Sequence, residues 1–96
     1  MNDKELHRQK YQAQLDEWQA EVAKLKAKAA GAKADAQLEL NKHLKELEQR
    51  MHEAGAKLSE LTTASEAAWD SVRKNVETTW DALKAGVGAA KAKFKE

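Results

Sequence analysis

The sequence has no cysteine, no proline and no isoleucine, and only four glycines among its 96 residues. Without cysteine the chain forms no disulfide and has no thiol chemistry. Without proline, no residue forces a helix to end. Strand-forming residues are also scarce, with one tyrosine and one phenylalanine, and no segment alternates with a period of two. We therefore expect an all-α protein, and the length predicts a single domain over residues 1–96.

The distribution of charge and apolar residues excludes several kinds of partner. The 17 basic and 16 acidic residues are interleaved, so there is no basic stripe that would bind nucleic acid. No apolar run approaches the ~20 residues that span a bilayer. The opening segment, MNDKELHRQK, lacks the apolar core of a secretory signal. These features predict a soluble, cytoplasmic protein that does not bind nucleic acid.

Strong helix formers dominate the composition, whereas bulky apolar residues are few. Leucine, valine and phenylalanine together make up only about 16% of the chain. Such a chain is expected to form narrow seams between helices and to be marginally stable alone. The composition therefore predicts association, either of the chain with itself as a homo-oligomer or with another helical protein.

The larger apolar residues recur at the three- and four-residue spacing of a coiled-coil seam. In two places, over residues 32–44 and 68–80, three steps of four follow each other, which relaxes the supercoil toward a straight helix. Alanines continue the stripe between the first two parts of the seam. The predicted interaction seam consists of Leu15, Trp18, Val22, Leu25, Leu40, Leu44, Leu47, Met51, Leu58, Leu61, Trp69, Val72, Val76, Trp80, Leu83, Val87 and Phe94.

Two stretches are candidates for breaks in the helix. The first contains Gly31 and no bulky side chain, and Asp35 is a candidate N-cap for the helix that follows. The second holds Thr63 and Glu66 at the spacing of a capping box, with Ser65 as an alternative cap. Breaks near 31–35 and 62–65 would give three helices, near 4–30, 35–61 and 64–94.

Read without breaks, the chain would instead be one rod of about 140 Å at 1.5 Å per residue. The apolar seam continues through both stretches, although the heptad frame shifts there. This continuity favours a helix through at least one of them. We expect long amphipathic helices in a coiled-coil-like antiparallel hairpin or elongated bundle, with a turn near Gly31. The alternative is one continuous helix in an oligomeric coiled coil.

An 11-residue repeat occupies the C-terminal third. AAWDSVRKNVE (67–77) is followed by TTWDALKAGVG (78–88), which places Trp69 and Trp80 on one side of a straight helix. One interpretation is packing in a helical bundle, with a second face of small residues that lets helix backbones approach. The other is an amphipathic helix, within residues 64–96, that binds a membrane surface. The narrow apolar stripe favours packing.

The histidines do not predict a metal site. Glu39 and His43 are four residues apart, the spacing of two metal ligands on a helix, and Glu48 and His52 repeat it. The two pairs lie nine residues apart, so on one helix they face opposite sides. His7 stands isolated among polar residues. We predict no metal, no cofactor and no enzyme activity.

Three segments give the chain a characteristic overall pattern: KYQAQLDEWQAEVAKLKAKA, ADAQLELNKHLKELEQRM and AWDSV…WDALK. Along nearly its whole length the chain resembles small bacterial coiled-coil proteins grouped as a stress-response family. Residues 67–94 also look like the lipid-binding helices of exchangeable apolipoproteins and the 11-residue repeats of stress-related amphipathic proteins. The resemblance implies a cytoplasmic, non-enzymatic helical protein linked to stress, and it carries no catalytic residues to this chain.

Overall fold

Three long helices joined by two short turns make up the fold. The computed structural model describes residues 3–94, with α1 spanning Asp3–Ala30, α2 Ala34–Thr63 and α3 Glu66–Lys93. Helix α2 packs along both other helices and runs antiparallel to each, so α1 and α3 are parallel. The Cα atoms extend over 51 × 20 × 16 Å. The expected all-α, elongated antiparallel bundle is confirmed.

The first turn, residues 31–33, ends α1 without a left-handed glycine. The N–H of Gly31 donates to the carbonyl of Lys28 at 3.1 Å, which tightens the last turn of the helix. Lys33 is the N-cap of α2, with an extended backbone and no side-chain cap. The predicted cap at Asp35 is wrong, because Asp35 already lies in the first turn of α2. There its carboxylate is still favoured by the helix dipole.

The second turn consists of two residues, Ala64 and Ser65, between α2 and α3. The Ser65 Oγ accepts the N–H of Ala68 at 3.3 Å and so satisfies one of the free donors at the start of α3. The Thr63 hydroxyl instead donates back to the Ser59 carbonyl, at 3.3 Å, within the last turn of α2. The alternative cap, Ser65, is therefore confirmed, and the capping box at Thr63 is wrong.

Both weak stretches are breaks, so the expectation that a helix continues through at least one of them is wrong. The single continuous helix does not describe the folded chain either. The physical reason is the seam itself. A lone rod would leave the whole seam in water, whereas two turns let each helix bury its stripe against the others.

The core is a narrow apolar column shared by all three helices. Ala29 and Ala54 are completely buried, so the helices approach closely where these small side chains lie. Within residues 3–94 no charged side chain is buried, and hydrophobic burial rather than buried ion pairs therefore stabilises the bundle. The buried residues are Tyr11, Leu15, Val22, Leu25, Ala29, Leu44, Leu47, Met51, Ala54, Leu58, Leu61, Val76, Trp80, Leu83, Val87, Ala90 and Phe94.

Candidate interaction surface

The predicted interaction seam lies inside the bundle, where the stripes of the three helices face one another. Trp18, Leu40, Trp69 and Val72 are half-buried and pack against the core. While the bundle is closed, the seam is occupied by the chain's own helices. The buried seam residues are Leu15, Val22, Leu25, Leu44, Leu47, Met51, Leu58, Leu61, Val76, Trp80, Leu83, Val87 and Phe94.

Tyr11 and Trp80 join α1 to α3. Trp80 is 3% exposed, and its indole N–H donates to the backbone carbonyl oxygen of Tyr11 at 3.1 Å. The ring centroids of Tyr11 and Trp80 lie 5.5 Å apart, edge to face, and the Trp18 centroid is 6.3 Å from that of Trp80. A buried indole N–H requires an acceptor, so this hydrogen bond fixes which turn of α1 faces Trp80.

Trp69 lies one repeat earlier, at the end of the bundle where α1 begins. Its ring is 5.6 Å from the His7 ring, between centroids. Lys4 Nζ and the Arg73 guanidinium carbon lie 5.9 and 5.8 Å from the Trp69 centroid, within the range of cation–π attraction. The prediction that His7 is isolated is wrong. We call His7, Tyr11, Trp18, Trp69 and Trp80 the aromatic cluster.

One feature of the sequence indicates that His7 belongs to this cluster. His7 precedes Tyr11 by four residues, so it extends the same stripe by one turn. A histidine at such a position is read as polar, yet its ring stacks at 6.3 Å from that of Tyr11. The stripe of α1 therefore begins one turn earlier than the bulky apolar residues indicate.

Charged groups surround the aromatic cluster without entering it. Arg73 donates to Asp70 at 3.1 Å and to Glu77 at 2.8 Å, which holds its guanidinium in place beside Trp69. Burial raises the pKa of the Tyr11 phenol, and the negative charge of Glu77 raises it further. The nearby positive charge of Arg73 partly opposes this shift of the Tyr11 pKa.

The opposite end of the bundle is rich in alanine, and there α1 and α3 are separated by an open cleft. We call residues 24–40 and 84–94 the alanine-rich end. The cleft has a volume of about 450 Å³ and is lined by Lys24, Lys28 and Lys91 together with Leu25 and Gly88. Among the described residues of the lining, Glu21 alone is acidic, and its Oε2 lies 3.8 Å from Lys91 Nζ. The lining of this cleft is therefore mainly positively charged, whereas Ala29 and Ala90 at the same end remain buried.

The predicted face of small residues on α3 has one member in close contact with another helix. A Cβ built on Gly86 would lie 3.0 Å from Leu47 Cδ2, so the absence of a side chain lets α3 approach α2 there. The remaining members of that face are exposed: Ala67, Ser71, Asn75, Thr78, Ala82 and Ala89.

One member of each Glu–His pair contacts a lysine of another helix. His43 Nε2 lies 2.6 Å from Lys93 Nζ, and Glu48 forms an ion pair with Lys26 at 2.5 Å. Within the part of the chain that the structure describes, no three side chains of histidine, aspartate or glutamate come together as a metal site would require. No described helix has the length and hydropathy needed to span a membrane.

Comparison with protein-family models, with curated proteins and with solved structures gave no match to this chain. The geometry of the bundle itself is therefore the basis for a functional proposal.

Proposed function

We propose that the protein is a non-enzymatic helical interaction protein that self-associates through its apolar seam. The observation that carries the proposal is the form of the core. Each helix contributes a narrow stripe that is buried only by stripes of the same kind on the other two helices. Another copy of the chain offers the same stripes, so the surfaces that close one bundle also match those of a second molecule.

The thinness of the bundle supports the same proposal. With extents of 20 and 16 Å across its length, the bundle has one column of apolar side chains and no second layer among its described residues. A core of this size gives a small margin of stability. Association between copies buries additional apolar area. A complex that forms only from folded chains also shifts the equilibrium from unfolded toward folded chains, by mass action.

A role in stress response enters the proposal through the resemblance in sequence alone. A protein that gains stability by association would respond to its own concentration, and such a response would suit a protein that accumulates under stress. Growth of a strain lacking the gene, under heat, osmotic and oxidative stress, tests this part of the proposal. Equal growth of this strain and its parent in all three conditions would remove it.

Membrane-surface binding through residues 64–96 is the second candidate function. The apolar stripe of α3 contains Trp80 and continues to Phe94, the C-cap of the helix, and both side chains are suited to the interface of a bilayer. In the closed bundle this stripe faces α1 and α2, so lipid binding would require α3 to leave them. Flotation with anionic vesicles that is lost on deleting residues 64–96 would favour this candidate.

Sedimentation equilibrium of the purified chain, without lipid, tests self-association directly. We expect an average mass that rises from one chain toward at least two chains between micromolar and about millimolar concentration. The thermal midpoint should rise with protein concentration over the same range, because association stabilises the folded state. A mass of one chain and a constant midpoint throughout would contradict the proposal.

A further inference from the structure

The backbone of the turn between α2 and α3 differs from that of a helix only in its ψ angles. Only Ala64 and Ser65 lie outside the two helices, and their φ angles are −65° and −68°. Those values are already helical, whereas their ψ angles, 139° and 164°, are extended. Rotation about two ψ bonds would therefore join α2 and α3 into one helix. Neither residue is a glycine or a proline, and both are compatible with a helix interior.

On a helix of 3.6 residues per turn the seam stays on one side across this turn, although the heptad frame shifts there. If residues 64 and 65 are counted as helical, every buried residue of α2 and α3 falls within one arc of about 100° on the helix surface. The arc runs without a shift from Leu58 and Leu61 to Val76 and Trp80. A straightened α2–α3 helix would thus present a single apolar stripe, which is exposed on its α3 half and needs a partner.

We propose that two copies of the chain exchange α3 by straightening this turn, so that the α3 of each copy packs on the α1 and α2 of the other. The inference rests on the proposed self-association and specifies how it occurs. The partner is a second copy of the same chain, and the hinge is Ala64–Ser65. Exchange of identical elements is a low-cost route to a dimer, because the packing that each chain gives up internally forms again between the two chains.

The interactions of α3 are of the kind that survives exchange. The hydrogen bond from Trp80 to the Tyr11 carbonyl joins residues 69 positions apart in sequence, and its geometry depends on neither turn. The ion pair of Lys4 with Glu66 and the contact of His43 with Lys93 likewise cross between helices. In the exchanged dimer each of these would form between copies. Only the two residues of the turn would change conformation.

The first turn is less suited to the same role. It comprises three residues, and Gly31 disfavours a continuous helix by roughly five- to tenfold relative to alanine. Straightening it would also take α1 away from both other helices along its whole length, including the contacts of Tyr11 and Trp18 with Trp80. The second turn requires fewer rotations and joins helices whose stripes are bulky on both sides.

Glu66→Pro separates the closed bundle from the straightened helix. Glu66 is the first residue of α3, a position where proline is well tolerated, and the extended backbone of Ser65 suits a residue that precedes proline. In a straightened helix the same proline would be interior, where it disfavours the helix by about 100-fold or more at each hinge. Glu66→Gln is the matched control, since it removes the exposed ion pair with Lys4 without affecting the backbone.

Ser65→Ala should act in the opposite direction. It removes the N-cap of α3 in the closed bundle and places a better helix former in the straightened helix. We expect its dimer to be about 30-fold tighter than that of the wild type, because one cap is lost at each of the two hinges. The three variants and the wild type are compared as full chains by sedimentation equilibrium, and circular dichroism of dilute samples verifies that each monomer is folded.

Dimerisation weakened at least 100-fold by Glu66→Pro, unchanged by Glu66→Gln and tightened by Ser65→Ala would support the exchange. Equal dimerisation of all four proteins would overturn the exchange and leave self-association through another surface standing. If all four proteins stay monomeric at about millimolar concentration, both the exchange and the proposed function are overturned.

Discussion

The two ends of the bundle have the same apolar spacing but different packing. At the aromatic cluster, Tyr11, Trp18 and Trp80 fill the space between α1 and α3, and an indole hydrogen bond crosses it. At the alanine-rich end the two helices are separated by a cleft of about 450 Å³ with three lysines in its lining. The spacing of a stripe thus decides which residues face inward, while their bulk decides how the space between α1 and α3 is filled.

The largest effect should come from removing the aromatic cluster's central residue. We expect Trp80→Ala to lower the free energy of unfolding by about 3–5 kcal/mol, because it leaves a cavity between α1 and α3 and removes the hydrogen bond to Tyr11. Trp69→Ala, one repeat earlier, should cost roughly 1 kcal/mol, since that ring is half-buried. Urea denaturation of dilute protein, followed by circular dichroism, measures both.

Trp80→Phe keeps an aromatic ring and removes the N–H donor, so it provides a folded variant if Trp80→Ala does not fold. We expect the free energy of unfolding to fall by an intermediate amount, about 1–3 kcal/mol.

Equal losses of stability for Trp69→Ala and Trp80→Ala would contradict the contrast between the half-buried and the buried position of the repeat.

Two glycines on α3 should respond differently to alanine. A Cβ built on Gly88 would meet no neighbouring atom within 4 Å, so Gly88→Ala should stabilise the bundle by about 0.5–1 kcal/mol through helix propensity alone. For Gly86→Ala the new methyl group would meet Leu47 Cδ2 at 3.0 Å, and we expect the shift of Leu47 to offset most of that gain. Thermal unfolding measures the difference, and a larger gain at Gly86 than at Gly88 would contradict the close approach of α2 and α3.

A smaller effect should appear at high pH. Burial and Glu77 raise the pKa of Tyr11 above its ordinary value of 10.0. Because the folded-state pKa is the higher one, this contribution to stability is complete below pH 10.0 and is lost as the pH rises toward the folded-state value. The chain has a single tyrosine, so the near-ultraviolet absorbance of the phenolate reports Tyr11 alone.

Tyr11→Phe is the matched control for this pH dependence, since it keeps the ring and removes the ionisable group. Its stability should fall less steeply than that of the wild type above pH 10.0. A phenolate that titrates at or below the ordinary value in the folded protein would show that the phenol is not held in the apolar setting described.

Much of the fold could be predicted from the spacing of apolar residues. Trp80, Leu83 and Val87 recur at intervals of three and four, and that pattern alone indicates a buried helix face. The breaks were harder to predict, because the seam persists through both turns and only the second turn has a side-chain cap, at Ser65. Ser65 rather than Thr63 caps α3, a choice that depends on where the chain folds back and not on local spacing.

The contacts between α1 and α3 could not be predicted from local sequence. Tyr11 and Trp80 are far apart in the chain, and nothing in either segment specifies that one donates to the backbone of the other. Likewise, Trp69 and Trp80 occupy equivalent places in the repeat, yet one is half-buried and the other buried. The difference arises because Trp69 lies at the end of the bundle, where α1 begins and few residues remain to cover it.

Fluorescence energy transfer between dyes on Lys42→Cys and Ala92→Cys tests the exchange of α3 most directly, since the chain has no cysteine of its own. Both positions are exposed and adjoin His43 and Lys93, which touch across α2 and α3. We predict high transfer in dilute monomer. In dimers formed with excess unlabelled protein, transfer should be low, because a straightened helix separates the dyes by about 75 Å. High transfer that persists in the dimer would contradict the exchange.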